Sequence, residues 1–145
     1  EAEIIRTIFD FYANQNMGMR AICNWLSQNG YKNTNGNSFS FSTVRGILTN
    51  PKYKGYYYVV DAVEMAQKIY ERPVKVTKDI YPVIARKYKS TPSNVEHNIR
   101  TLVNLCWMNH KDTLEEMAGC TMADKPTNSE FIDILVYYLR YSDKD

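Results

Sequence analysis

The sequence has few of the residues from which catalytic and metal centres are built. Its cysteines number only three, and none of them has C-x-x-C spacing. This pattern argues against a disulfide framework and a zinc site, so we expect Cys23, Cys106 and Cys120 to be small apolar core residues in a reducing cytoplasm. Nucleophile-elbow, metalloprotease and glycine-rich phosphate-loop motifs are also missing. We therefore expect no enzymatic activity, no bound metal and no cofactor.

Long apolar runs and an excess of one charge are also lacking. The longest apolar candidate, residues 56–66, is interrupted by Asp61 and Glu64 and falls short of the ~18–20 residues that span a bilayer. Basic and acidic side chains number 18 and 16, which leaves a net charge of +2 and excludes a polybasic or acidic tail. The chain begins at Glu1 without an initiator methionine, so we expect it to be a fragment of a longer protein. Because no apolar run is long enough to span a bilayer, we also expect no membrane association.

Apolar residues at helical spacing are abundant. The chain of 145 residues is 44% hydrophobic and 13% aromatic, which predicts one domain or two small ones with a packed core. Apolar positions recur three and four residues apart along most of the chain, and no strand pattern is strong, so the fold class is all-α. The predicted helices cover residues 2–14, 18–28, 55–71, 77–88, 93–108, 113–118 and 129–140, and a further helix, capped by Ser40 or Ser42, ends at Asn50-Pro51. Thr77 is the expected cap of the helix over 77–88, and a capping box at Thr127 opens the last helix, in which Leu139 is expected in the core.

Residues 84–100 have the pattern of a helix-turn-helix. The small residue Ala85 lies in the first helix, and a short polar turn follows. Ser93-x-x-Glu96 is a capping box that predicts the start of the second helix, and Val95 and Ile99 would anchor that helix against the first. The predicted outward face of the second helix consists of Asn94, His97, Asn98 and Thr101, with Glu96 and Arg100 at its edges.

Side chains of this kind can reach base edges in the major groove of DNA. Basic and hydroxyl side chains near the turn suit phosphates. The alternative interpretation is an ordinary two-helix corner of an all-α domain. On the DNA-binding interpretation, Asn94, Glu96, His97 and Arg100 read bases or position the helix, and Lys87, Lys89, Thr91 and Ser93 lie along the phosphates.

A weaker example of the same pattern occurs upstream. A predicted helix ends near Gly30, and Ser42-Thr43-Val44 then repeats the Ser/Thr-x-Val arrangement at the start of the next helix. Two such patterns in one chain favour a nucleic-acid role. They add Ser42, Thr43 and Arg45 as further candidate DNA contacts.

Several short motifs in the first 53 residues match a known family. They are Glu1-Ala2-Glu3-Ile4-Ile5-Arg6, Ile8-Phe9, Ala21-Ile22, Leu26, Asn29-Gly30, Ser42-Thr43-Val44-Arg45, Ile47-Leu48 and Asn50-Pro51. Through them, residues 1–53 resemble the recombinase domain of large serine recombinases. The resemblance implies a small helical segment that binds DNA at an attachment site, with the catalytic serine in a separate upstream domain.

A second set of motifs lies downstream. They are Lys54-Gly55-Tyr56, Thr77-Lys78, Tyr81-Pro82, Ile84-Ala85, Thr91, Ser93, Val95-Glu96, Ile99-Arg100, Trp107 and Lys125-Pro126-Thr127-Asn128-Ser129-Glu130-Phe131-Ile132. Through them, residues 54–145 resemble the effector domain of the stage-zero sporulation response regulator. The resemblance implies a helical bundle that binds a promoter box through its helix-turn-helix and contacts the RNA polymerase sigma subunit. We also expect a homodimer on double-stranded DNA.

The two resemblances leave three functions open. The first is a sporulation-type transcription regulator that is not an enzyme, with the small recombinase-type helical domain before its helix-turn-helix bundle. The second is a DNA-binding fragment of a serine recombinase without its catalytic domain. The third is a protein-interaction module that has lost DNA affinity, because the sporulation family favours arginine at the positions of Asn94 and His97 while Glu96 and Arg100 are retained.

Overall fold

A computed structural model describes residues 2–69 and 73–142 of the chain. In these two ranges the structure is helical apart from its connections and one isolated bridge between Lys32 and Ser38, so the predicted all-α fold is confirmed. The helices are α1 (Ala2–Ala13), α2 (Met19–Gln28), α3 (Phe41–Thr49), α4 (Pro51–Gln67), α5 (Tyr81–Lys87), α6 (Pro92–Asn109), α7 (Lys111–Ala118) and α8 (Asn128–Tyr141), and a π-helical turn, Val76–Ile80, leads into α5.

Helix α4 begins four residues before its predicted start at Gly55. Asn50 ends α3 and also caps α4, because its Oδ1 accepts a hydrogen bond from the Lys52 amide at 2.9 Å. Pro51 occupies the first turn, where its fixed φ suits a helix and its missing N–H costs nothing. The Asn50-Pro51 pair, expected only to end a helix, therefore also starts one. The predicted end at residue 71 lies outside the described residues.

The start of α5 and the starts of α6 and α8 test the predicted caps. Thr77 was expected to cap a helix over 77–88, but it lies inside the π-helical turn, and no side chain caps α5. The capping box at Ser93 is also wrong, since Thr91 caps α6 and accepts the Asn94 amide at 3.2 Å. The cap at Thr127 is confirmed, because its hydroxyl accepts the Glu130 amide at 3.1 Å.

The buried apolar residues of the described ranges form one core. Helix α4 connects the first three helices with the later ones, and the ring of Phe9 in α1 stacks on Tyr57 in α4 with centroids 4.5 Å apart. The predicted domain boundary after residue 53 falls inside α4, and the division into two domains stays a prediction. From the first three helices the core contains Ile8, Phe9, Ile22, Leu26, Val44 and Leu48, and from the later helices it includes Tyr58, Ala62, Ile84, Val95, Ile99, Val103, Phe131 and Ile132.

Helices α4 and α6 cross very closely at Gly55. A Cβ atom at this position would lie 2.5 Å from the backbone oxygen of Asn98 and 3.1 Å from Cβ of Leu102. No real Cβ contact is that short, so only glycine fits here. The crossing holds α6, the second helix of the predicted helix-turn-helix, directly against α4.

Helix α7 differs from its prediction in its first residue, and helix α8 differs in which of its residues are buried. Helix α7 starts at Lys111 instead of 113 and ends as expected at Gly119, whose φ of 74° is the left-handed conformation that glycine adopts without strain. In α8 the residues that are buried are Phe131, Ile132 and Val136. Leu139, expected in the core, is 44% exposed. In the described parts of the chain, no helix is both long and apolar enough to cross a membrane.

Candidate nucleic-acid interface

Helices α5 and α6 form a compact helix-turn-helix. Residues 88–91 join them, which is the three- to four-residue turn typical of this motif. Ala85 is 3% exposed, and Val95 and Ile99 are fully buried, as the sequence pattern predicted. The small side chain of Ala85 lets the two helices approach, and the two branched residues fill the space between them.

Backbone and side-chain hydrogen bonds fix the turn between α5 and α6. The Ser90 amide donates to the Ala85 carbonyl at 2.8 Å, and the Tyr88 amide donates to the Ile84 carbonyl at 3.0 Å. Lys89 has a φ of 55°, in the left-handed region that a non-glycine residue rarely adopts. The turn therefore leads from α5 to α6 within four residues, and Pro92, Ser93 and Asn94 in the first turn of α6 are exposed.

The solvent-facing side of α6 carries most of the predicted base-reading residues. Ser93, Asn94, His97 and Arg100 are exposed, and Glu96 is half-buried. The Arg100 guanidinium lies 3.3 Å from a Glu96 carboxylate oxygen, one helical turn away. These side chains share one face, so the structure brings them together as the sequence predicted.

Of the residues expected on this face, Asn98 does not belong to it and Thr101 is only partly exposed. Asn98 is 7% exposed, and its Nδ2 donates to the Asn94 carbonyl at 2.7 Å. It is buried because α4 crosses its backbone at Gly55. Thr101 is half-buried, and its hydroxyl donates to the His97 carbonyl at 3.1 Å. Both side chains are therefore satisfied within the protein.

A contact from α8 holds the middle of α6 in place. The Nδ2 of Asn128 donates to the Glu96 carbonyl at 3.1 Å and to the Tyr81 hydroxyl at 3.0 Å. Burial raises the pKa of Tyr81, while the hydrogen bond from Asn128 opposes that shift. One amide thus links α8 to the first helix and the second helix of the helix-turn-helix. Sequence reasoning did not give Asn128 this role, since its partners lie 32 and 47 residues away.

Lys87, a predicted phosphate ligand, is paired inside the protein. Its Nζ lies 3.1 Å from both carboxylate oxygens of Asp61 in α4. The Tyr88 hydroxyl donates to the same carboxylate at 2.6 Å, and burial together with that carboxylate raises the Tyr88 pKa well above its usual value. The side chains of Lys87 and Asp61 are 31% and 13% exposed, so the pair is only partly accessible. Nothing local in the sequence signals a contact across 26 residues.

Lys89 and Thr91 border the start of α6. The Lys89 ammonium lies 4.3 Å from the centroid of the Tyr12 ring, a cation–π distance that connects the turn to α1. Both Lys89 and Thr91 are exposed. The Thr91 hydroxyl accepts the capping hydrogen bond and still has its own proton to donate.

The upstream pair, α2 and α3, lacks a short turn. Residues 29–40 join the two helices, far more than a helix-turn-helix turn needs, and this connection contains the bridge between Lys32 and Ser38. The resemblance to a second helix-turn-helix is therefore wrong in its connection. Ser42 and Arg45 are exposed, whereas Thr43 is half-buried and shares a 2.9 Å hydrogen bond with the Ser40 hydroxyl.

Cysteines and acidic residues provide no metal site in the described chain. No group of three or more His, Cys, Asp or Glu side chains converges among residues 2–69 and 73–142. All three cysteines are free thiols. Cys23 and Cys106 are half-buried, and burial raises the pKa of both thiols, but Cys120 is exposed, so the prediction of a core position is wrong for it.

An all-helical domain with a short-turn helix pair and a polar exposed face on the second helix has the build of a DNA-binding domain. Comparison with protein families agrees. The family described as "Sporulation initiation factor Spo0A C terminal" matches residues 41–139, and the chain belongs to this family. It is a family of sporulation-type DNA-binding domains and is not catalytic, as the sequence predicted for this chain. No solved structure matches.

Proposed function

We propose that this chain is a sequence-specific transcription regulator that places α6 in the major groove of a promoter box. The observation that carries the proposal is the division of α6 into two sides. Val95, Asn98 and Ile99 are buried against α4 and α5, and His97 lies at the centre of the opposite, exposed face. A helix held on one side and polar on the other can enter a groove without rearranging its core.

The roles of the exposed residues follow from their chemistry. Asn94 and Arg100 carry donors suited to purine edges, and His97 can donate to a base from either ring nitrogen. Glu96 accepts from a cytosine amino group or holds Arg100, to which it is paired. Lys89, Thr91 and Ser93 lie along one phosphate backbone at the start of α6. Lys87 contributes less, since Asp61 already neutralises it.

Two partners complete the proposal. The sporulation-type resemblance implies a contact with the RNA polymerase sigma subunit, and two copies of the chain would bind as a homodimer to successive half-sites on DNA. Half-sites of such dimers lie one helical turn, about 34 Å, apart. A duplex with one box and a duplex with two boxes at that spacing would separate the monomer from the dimer by their binding stoichiometry.

For residues 1–53 we propose the role that the recombinase resemblance implies, a second DNA contact beside α6. Ser42 and Arg45 on α3 are exposed and available for it. The chain would then act in transcription, or, as the second candidate, in site-specific recombination as part of a longer enzyme. Arg45→Gln should weaken binding to all duplexes alike if α3 lies on the backbone.

A protein-interaction module is the remaining candidate. Exposed aromatic side chains on α8 favour it, since Tyr137 and Tyr138 are 57% and 41% exposed. Large exposed aromatics are common at protein interfaces. This function predicts that the chain binds no duplex even at low salt.

Fluorescence anisotropy with a labelled sporulation-type promoter box and a scrambled duplex, at several salt concentrations, tests the proposal. We expect at least tenfold preference for the box and a steep loss of affinity with salt. His97→Ala should reduce the preference, whereas His110→Ala, at an exposed position after α6, serves as the matched control. Equal binding to both duplexes would contradict sequence-specific reading, and no binding would favour the interaction module.

A further inference from the structure

A groove lies between the N-terminal helices and the helix-turn-helix. Its volume is about 320 Å³, and its wall is formed by residues of α1, α2, α3, α4 and α6 and of the turn between α5 and α6. Phe9 and Tyr12 come from α1, Leu48 from the end of α3, and Tyr58 from α4. Its polar wall is formed by Thr49, Lys54, Lys89, Ser90, Thr91 and Asn94.

The charge of this groove is positive without compensation. Among the residues that the structure describes, Lys54 and Lys89 are the only charged residues that line it, and no carboxylate does. The neighbouring cavity of about 310 Å³ between α1 and α4 is different, because Asp10, Asp61 and Glu64 line it. Two lysines in a groove without carboxylates produce a positive local potential, even though the net charge of the whole chain is small.

The two ammonium groups are available to a ligand. Within residues 2–69 and 73–142, no carboxylate forms an ion pair with Lys54 or Lys89. Lys89 lies over the Tyr12 ring, which holds its side chain near the groove while leaving its three donors unused by an anion. The Thr91 hydroxyl adds a neutral donor at the same edge.

We propose that this groove binds a backbone phosphate of the DNA strand that α6 reads, with Lys54 as a phosphate ligand that the helix-turn-helix pattern does not contain. The inference rests on the proposed function and adds a composite site to it. Asn94 lines the groove and also lies on the exposed face of α6, so the groove is continuous with the base-reading surface. The helices α1 and α3 thereby form part of the DNA-binding surface through the groove that they help to enclose.

The test compares three variants of the full chain by anisotropy on the box and scrambled duplexes from low to moderate salt. Lys54→Gln removes the charge, Lys54→Arg keeps it, and Lys68→Gln removes a matched charge at the other end of α4, about 20 Å away by helix rise. Neutralising one phosphate ligand lowers the slope of log K against log salt by ~0.9. We expect this decrease for Lys54→Gln on both duplexes, the wild-type slope for Lys68→Gln, and recovery in Lys54→Arg.

The outcomes separate this proposal from the one on which it rests. If the wild-type chain binds DNA with a salt slope that Lys54→Gln leaves unchanged, the phosphate site is wrong and the function stands. If the wild-type chain binds no duplex, both fail. Equal slope losses in Lys54→Gln and Lys68→Gln would mean a diffuse charge effect and would also overturn the site. Circular dichroism and thermal unfolding of each variant verify that the fold is retained.

Discussion

The chain contains two helix pairs with similar local sequence and different geometry. Each second helix is capped by a hydroxyl that accepts an amide three residues on, Ser40 from Thr43 and Thr91 from Asn94. Each has a buried valine in its first turn, Val44 or Val95. Yet α5 and α6 are joined by residues 88–91, and α2 and α3 by residues 29–40. Local caps and apolar spacing specify the helices, whereas the length of the connection decides whether two helices form a helix-turn-helix.

The two pairs also differ in what packs behind their second helix. Helix α6 lies against α4 at Gly55, where the backbones meet. In α3, by contrast, an added Cβ at Gly46 would meet nothing within 4 Å. Gly46 lies on the exposed side of α3, whereas Gly55 is crossed directly by the backbone of α6.

The largest expected effect is on cooperativity between the pairs. Ile99→Ala and Leu48→Ala each remove a buried side chain and should cost about 2–5 kcal/mol of unfolding free energy. Because Phe9 stacks on Tyr57 and the buried residues form one core, we expect one unfolding transition in urea for both variants. A separate, early transition in Leu48→Ala alone would mean that the pairs unfold independently.

Replacement of Gly55 in α4 and of Gly46 in α3 by alanine should change the stability in opposite directions. Gly55→Ala places a methyl group against the Asn98 backbone and should destabilise by about 1–3 kcal/mol. Gly46→Ala has free space and a helical backbone, so it should stabilise by about 0.5–1 kcal/mol. Urea midpoints measure both. Equal effects of the two substitutions would contradict the close crossing at Gly55.

The two caps should contribute similar amounts. Thr91→Ala and Ser40→Ala each remove the acceptor for one amide of the first helical turn and should cost about 0.5–2 kcal/mol. The difference lies in binding, since Thr91 also borders the proposed phosphate path. Anisotropy should show weaker DNA binding for Thr91→Ala and near-wild-type binding for Ser40→Ala. Replacement by Asn at either position should restore the stability.

The smallest effect concerns the link between the pairs. Tyr12→Leu removes the ring beneath the Lys89 ammonium and keeps an apolar side chain, so the loss should be about 0.5–1 kcal/mol. A double-mutant cycle with Lys89→Gln isolates the coupling, and a coupling energy of zero would show that the ring and the ammonium do not interact in solution.

Much of the helix-turn-helix could be predicted from the sequence. The buried positions of Ala85, Val95 and Ile99 follow from local spacing and occur as expected. Outside this motif, the capping box at Thr127 correctly predicted the start of α8. The start of α6 could not be assigned from Ser93, because Thr91 followed by Pro92 offers a second cap, and the backbone satisfies only one. Pro92 is the local signal that favours Thr91, because proline suits the first helical position.

The remaining differences depend on contacts between distant residues. Helical periodicity placed Asn98 on the polar face, but α4 crosses there at Gly55 and buries it. Lys87 pairs with Asp61, which lies 26 residues away in another helix. The local sequence around a basic residue next to a turn does not show whether that residue is paired. Periodicity predicts which face a helix buries on average, and single crossings change that face residue by residue.

The pairing of Lys87 with Asp61 has a consequence for how fast the chain finds its target. Long-range attraction to DNA scales with the charge that a surface presents, and it can raise association rates by one to three orders of magnitude. With one lysine of the helix-turn-helix neutralised and a net charge of only +2, this chain should associate slowly with DNA and spend little time on unrelated sequence. Removing the Asp61 carboxylate should raise the association rate and also lengthen the time that the chain spends on unrelated DNA. The Asp61 carboxylate therefore limits how fast the chain reaches its target.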